Sequence, residues 1–184
     1  MNLQEWLDVD LQELDALVRQ VDEGEIRDLC DQILAARRIF VVGKGRSDLV
    51  MQMFAMRLTQ MGLTAFVVGD STTPAIREGD LLIAGSGSGE TMGVVSAAER
   101  ALEAKARAVA ITSRAASTLG RIVNSCIILP GETTKLNTYQ ESKIPLGSIL
   151  EQALMVVLDC VSVWLAGELN QTNETMMDRH ANLE

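Results

Sequence analysis

Aromatic side chains make up only 3% of this 184-residue chain. A hydrophobic core must therefore be aliphatic, built from Val, Ile, Leu, Ala and nine Met. Basic residues are outnumbered, 16 Lys and Arg against 25 Asp and Glu, which gives a formal net charge of −9. That balance excludes an extended nucleic-acid surface, because backbone phosphates need clustered cations. It leaves room for a small phosphorylated ligand in a locally positive pocket. Cysteine is limited to Cys30, Cys126 and Cys160, far apart in apolar surroundings and without metal-ligand spacing. They read as reduced, buried small hydrophobes. Residues 1–10 are acidic where a secretory leader would be basic and then apolar, so a cytoplasmic location is expected.

Two common nucleotide motifs are missing. The pattern G-x-x-x-x-G-K-[ST] fails at Gly43-Lys44, with Arg38 in place of the first glycine and Gly45 in place of the hydroxyl residue. The dinucleotide pattern G-x-G-x-x-G fails twice, with Asp48 after Gly43 and Gly45, and Glu90 after Gly85 and Gly87. No ATP, NAD or other cofactor is expected, and no metal. The apolar stretch 149–169 carries Glu151, Gln152, Asp159 and Glu168, which reads as a buried helix and not a membrane span.

With 47% hydrophobic and 22% charged residues, the chain should fold around a full core as one domain spanning 1–184. Helical spacing runs through 1–37, from Leu3, Trp6 and Leu7 to Val18 and Val21, and resumes at Ile26 after a break marked by Gly24. An alternation of strands and helices then fills 38–130. Strands are expected at 38–42, 64–68, 80–84, 107–112 and 125–129. Their apolar runs are mostly continuous, as for strands covered on both faces. The pattern predicts a three-layer α/β fold with a five-stranded, doubly wound parallel sheet. A polar loop at 131–144, a long helix at 145–170 and a polar tail at 171–184 complete the chain.

Two glycine-rich turns follow the strands at 38–42 and 80–84. The second, Gly85-Ser86-Gly87-Ser88-Gly89-Glu90-Thr91, joins three glycines to three hydroxyl side chains at the start of a helix. Inward-pointing amides, hydroxyls and a positive helix end together form a cradle for a phosphate ester. An ordinary strand-to-helix turn would be equally rich in glycine. The first, Gly43-Lys44-Gly45-Arg46-Ser47, places a serine at a helix start, where it could also be a plain cap. Ligands of parallel sheets bind beyond the carboxyl ends of the strands, where both turns lie, so one shared ligand explains both.

These segments, with Phe54-Ala55-Met56-Arg57-Leu58 and Thr72-Thr73-Pro74-Ala75-Ile76, resemble the sugar isomerase (SIS) domain. More narrowly, Pro145-Leu146-Gly147-Ser148-Ile149-Leu150-Glu151-Gln152 and the terminal His180-Ala181-Asn182-Leu183-Glu184 resemble the 6-phospho-3-hexuloisomerase family. The resemblance implies a flavodoxin-like fold, a homotetramer, and interconversion of 3-hexulose 6-phosphate with fructose 6-phosphate in formaldehyde fixation by the ribulose monophosphate route. Isomerisation of another sugar phosphate, or phosphosugar binding without catalysis, are the alternatives. Moving the carbonyl needs one base over one face of the substrate and no cofactor. Glu151 is the candidate base by the resemblance; its residues alone favour a carboxylate stabilised by a helix end. His180 is the second candidate, polarising the carbonyl or shuttling hydroxyl protons if the tail folds over a pocket, its own or a neighbouring subunit's. Ser47, Ser86, Gly87, Ser88, Gly89 and Thr91 are the candidate phosphate ligands, and Gly45, Arg46 and Glu90 the candidate substrate contacts. Lys44 and Gln60 depart from the family pattern, which in many members has a small residue and a histidine there.

Overall fold

The computed structural model describes residues 2–131 and 142–183. Five parallel strands form one sheet: β1 (Ile39–Val42), β2 (Ala65–Val67), β3 (Leu81–Gly85), β4 (Arg107–Thr112) and β5 (Ser125–Ile128). Their order is β2-β1-β3-β4-β5. This is the expected doubly wound α/β sheet, in the flavodoxin-like order. The helices are α1 (Leu3–Val18), α2 (Glu23–Ala35), α3 (Arg46–Gln60), α4 (Met92–Glu103), α5 (Thr118–Ile122), α6 (Ser148–Glu168) and α7 (Asn173–Met177).

Successive side chains on a strand point to opposite faces, so each strand feeds two apolar layers. Ile39, Val41, Leu81, Ile83, Val109 and Ile111 pack under α2, α3 and α6. Phe40, Val42, Leu82, Ala84, Ala108 and Ala110 pack under α4 and α5, against Val94, Ala98 and Leu119. Burying a Leu or Ile side chain contributes about 1.5–3 kcal/mol, so the aliphatic layers supply what the few aromatics do not. Helix α6 is long and apolar enough to cross a membrane by length and composition. Its Ile149, Leu150, Ala153, Leu154, Val157 and Val161 are instead buried in the first layer.

The structure corrects several local expectations. The break between the first two helices falls at 19–22 and not at Gly24, which sits inside α2. Asp22 sets the boundary, because its carboxylate caps α2 by accepting from the Glu25 amide at 3.0 Å. Cys30 is buried, and burial pushes its thiol up to about 11. Cys126 is half-buried, and Cys160 is exposed on the outer face of α6. Most of the loop expected at 131–144 lies outside the described residues. The tail carries a short helix, α7, started by a capping box between Thr172 and Thr175.

Candidate functional site

The sheet order reverses direction between β1 and β3. Helix α3 leaves β1 toward one face and α4 leaves β3 toward the other, so the chain parts there and a crevice opens. The two strands end in register, with Val42 opposite Ala84. Both glycine-rich turns therefore start side by side, about 4.8 Å apart. Gly43 is required by close approach: a Cβ there would stand 2.7 Å from the Asp48 backbone, where α3 passes over the strand end.

The crevice is a cleft of about 220 Å³. The first turn lines it with Lys44, Gly45, Arg46 and Ser47, and the second with Gly85, Ser86, Gly87, Ser88 and Thr91. A third segment closes it, from far along the sequence: Leu146, Gly147, Leu150 and Glu151. Leu146 and Gly147 are both left-handed, with φ 58 and 72, and this double reversal turns the chain into α6 at the cleft. Glu151 sits in the first turn of α6, its side chain 16% exposed. Ser47 Oγ donates to its Oε1 at 3.0 Å, and Arg46 Nε lies 3.4 Å from its Oε2.

Three helices begin at this cleft, and none has a side-chain cap: α3 starts at Gly45, α4 at Thr91 and α6 at Gly147. Their first-turn amides face the cleft with a partial positive charge. The amides of Ser47, Gly87 and Ser88 donate no hydrogen bond to any described residue. Ser86 Oγ lies 3.2 Å from Thr91 Oγ1 as donor to acceptor. The Gly89 and Glu90 amides donate to Ser86 Oγ and Ser88 Oγ, each at 3.2 Å, which orients both hydroxyls. Open amides, oriented hydroxyls and converging helix ends are what an anionic ester requires.

Three of the residues singled out from sequence do not line this cleft. Gly89 holds the turn: its φ is 65, and a Cβ there would collide with the Ser117 side chain. Its amide is already spent on Ser86. Glu90 points to α5, where Thr118 N donates to it at 3.0 Å. Hydrogen bonding from Thr118 holds its carboxyl below the ordinary range. His180 lies at the opposite end of α3, because Arg179 beside it donates to the Gln60 carbonyl at 3.3 Å. At 1.5 Å per residue, Gln60 is about 20 Å from Ser47 along α3. Gln60 itself is buried at that remote end and accepts from Arg57 at 2.8 Å. Conversely, Lys44, Gly85, Leu146, Gly147 and Leu150 line the cleft without having been singled out as site residues. The prior signals were proximity to Ser47 for Lys44, membership of the second glycine-rich turn for Gly85, and the Pro145–Gln152 segment for the others.

A family model for the SIS domain matches residues 32–155. A protein of Mycobacterium gastri named 3-hexulose-6-phosphate isomerase is 44% identical over 167 residues, covering 90% of this chain and 83% of that one. A protein of Bacillus subtilis with the same name is 37% identical over 185 residues, covering 100% of both. A crystal structure from Methanococcus jannaschii, for which 3-hexulose-6-phosphate isomerase function was inferred, superposes with a TM-score of 0.84 at 30% identity. That match covers 98% of this chain and 99% of the other. The family model spans more than half of the chain, both glycine-rich turns included, and this chain belongs to the SIS domain family.

Proposed function

We propose that the chain is a phosphosugar isomerase that interconverts 3-hexulose 6-phosphate and fructose 6-phosphate through an enediol. One observation carries the reading: a carboxylate, Glu151, is delivered to Ser47 across 104 positions of sequence, into a cleft whose two turns offer amides, hydroxyls and cations. The phosphoryl group occupies the β3–α4 turn, held by the Gly87 and Ser88 amides and the Ser86, Ser88 and Thr91 hydroxyls. The sugar carbons then extend toward Glu151. Its carboxylate takes the proton from carbon 2, and the electron pair forms the carbon 2–carbon 3 double bond while the carbon 3 oxygen gains a proton. The same group returns its proton to carbon 3 as the carbon 2 hydroxyl loses its own and becomes the carbonyl. Ser47 and Arg46 hold the carboxylate in place between the two transfers. The names borne by the relatives from Mycobacterium gastri and Bacillus subtilis support this choice of substrate.

The enzyme acts as a soluble cytoplasmic homotetramer. Leu3, Leu7 and Leu11 form an exposed stripe on α1, and Leu49, Met53 and Met56 another on α3. Both suit contact with further copies. In that assembly, His180 of one copy serves the cleft of another, since its own cleft is out of reach. The pathway assigned is the second step of formaldehyde fixation.

The test is incubation of fructose 6-phosphate with the protein in heavy water. Deuterium at the carbon-bound position, together with appearance of the 3-ketose, is the expected outcome. Tight binding of the sugar phosphate without exchange would sink the isomerase reading in favour of a non-catalytic sensor. Exchange with arabinose 5-phosphate or a seven-carbon sugar phosphate, and none with fructose 6-phosphate, would reassign the substrate.

A further inference from the structure

Two cations line the cleft, and only one is committed. Arg46 is paired with Glu151. Lys44 makes no hydrogen bond or ion pair with any described residue. Its Cε stands 3.4 Å from the point where a side chain on Gly93 would begin. The lysine stem therefore runs over the first turn of α4, in a lane that Gly93 leaves open, and ends near the uncapped start of that helix. It also lies two residues before the uncapped start of α3.

This is a poor position for an ammonium group in an empty cleft. Helix amino ends carry about half a positive charge each and disfavour a nearby cation. The carboxylates around the cleft have other partners: Glu151 is paired with Arg46, Glu90 is engaged by Thr118, and Asp48 Oδ2 accepts from Gln52. A local rule is broken with no direct partner for the ammonium among the described residues, and the break lies in a cleft. A doubly charged ligand at the β3–α4 turn removes the conflict, because every group that was in repulsion then faces an anion.

We propose that Lys44 is the cation that neutralises the phosphoryl dianion of the substrate, completing the cradle of the β3–α4 turn, and that it sets affinity and not the rate of proton transfer. The proposal rests on the reading of the cleft as a phosphosugar site. It makes charge the means by which phosphorylated sugars are selected over free ones, while Arg46 stays on Glu151.

The test compares Lys44→Met, which keeps the stem and removes the charge, with Lys44→Arg, which keeps the charge. Steady-state kinetics with fructose 6-phosphate are paired with calorimetric titration of inorganic phosphate. For Lys44→Met, KM should rise at least about tenfold with kcat nearly unchanged, as for loss of one charge-assisted contact. Affinity for inorganic phosphate should fall by a similar factor, and the salt dependence of KM should flatten. Lys44→Arg should restore most of both. Unchanged KM and phosphate affinity in Lys44→Met would overturn the proposal, and so would a fall in kcat at constant KM. If the wild-type protein turns over no sugar phosphate yet binds inorganic phosphate in a Lys44-dependent way, the isomerase reading falls and the role of Lys44 stands.

Discussion

The two edges of the sheet solve the same electrostatic problem in opposite ways. At the amino edge, the Asp80 side chain is 0% exposed and every demand it makes is met. Arg38 lies 2.5 Å from Oδ2 and Arg37 3.3 Å from Oδ1, and the Arg77 amide donates at 2.8 Å. At the carboxyl edge, donors are left open. The helices whose starts do not line the cleft repeat the contrast: α1, α2, α5 and α7 are each capped by a side chain, from Asn2, Asp22, Ser117 and Thr172. The helices α3, α4 and α6, whose starts meet at the cleft, have none. Such ends leave donors unsatisfied until something else supplies acceptors. The difference separates groups that stabilise the fold from groups held ready for a ligand.

The largest test of that separation is at Glu151, the one carboxylate among the described residues that line the open cleft. Glu151→Gln keeps the size of the side chain and its hydrogen bond from Ser47, and removes the base. Turnover should fall about 1,000-fold, with KM for fructose 6-phosphate changed little, because general-base catalysis contributes on that scale. Stopped assays against fructose 6-phosphate measure both. Turnover within a few-fold of wild type would remove Glu151 as the base and leave it a support for Arg46.

Much of the satisfied framework was legible in the sequence, and less of the open site. Strand β4 forms over Arg107–Thr112, as its apolar run predicts, because a buried central strand has a single periodic signal. The turns at 43–47 and 85–91 were recognisable since each joins two or more glycines to hydroxyl residues between an apolar strand run and a helical stretch. The position of Glu151 needed the resemblance, because local spacing does not say that α6 starts beside β1. His180 shows the converse. Its sequence neighbourhood gives no distance, and only the Arg179–Gln60 contact shows that it lies at the wrong end of α3. Gly89 and Glu90 belong to the right motif, yet turn geometry directs them to Ser117 and Thr118. Lys44 stands out in the sequence as a departure and not as a site residue, since its meaning lies in Gly93, far along the chain.

A smaller effect is expected at the amino edge. Burial alone would raise the Asp80 carboxyl, but the hydrogen bond from Arg38, the Arg77 amide, the Arg38 charge and the hydrogen bond from Arg37 outweigh it and hold it below the ordinary range. A lowered folded-state value means that the group stabilises the fold above the unfolded-state value, near pH 4, and that this contribution is lost as pH falls through the folded one. Asp80→Asn should cost about 3 kcal/mol of stability at pH 7, because two arginines lose a buried partner. The cost should shrink below about pH 4, while kcat and KM stay at wild-type values. Denaturant melts at pH 7 and pH 3, alongside kinetics, measure this. Altered KM in a folded Asp80→Asn protein would show that the two edges are not separate.

The finest test sets one capped helix start against one open one. Asp22 caps α2 through the Glu25 amide, so Asp22→Ala should cost about 1 kcal/mol of stability and leave KM unchanged. Thr91 stands at the start of α4 without capping it, its hydroxyl accepting from Ser86. Thr91→Val keeps the β-branched shape and removes that hydroxyl. It should leave the denaturation midpoint nearly unchanged and raise KM about tenfold, the equivalent of one lost hydrogen bond to a charged group. Equal stability losses in the two variants would mean that the α4 start is an ordinary helix end. A loss of affinity confined to Thr91→Val would separate a donor used by the fold from one reserved for the ligand, on two helix starts of the same chain.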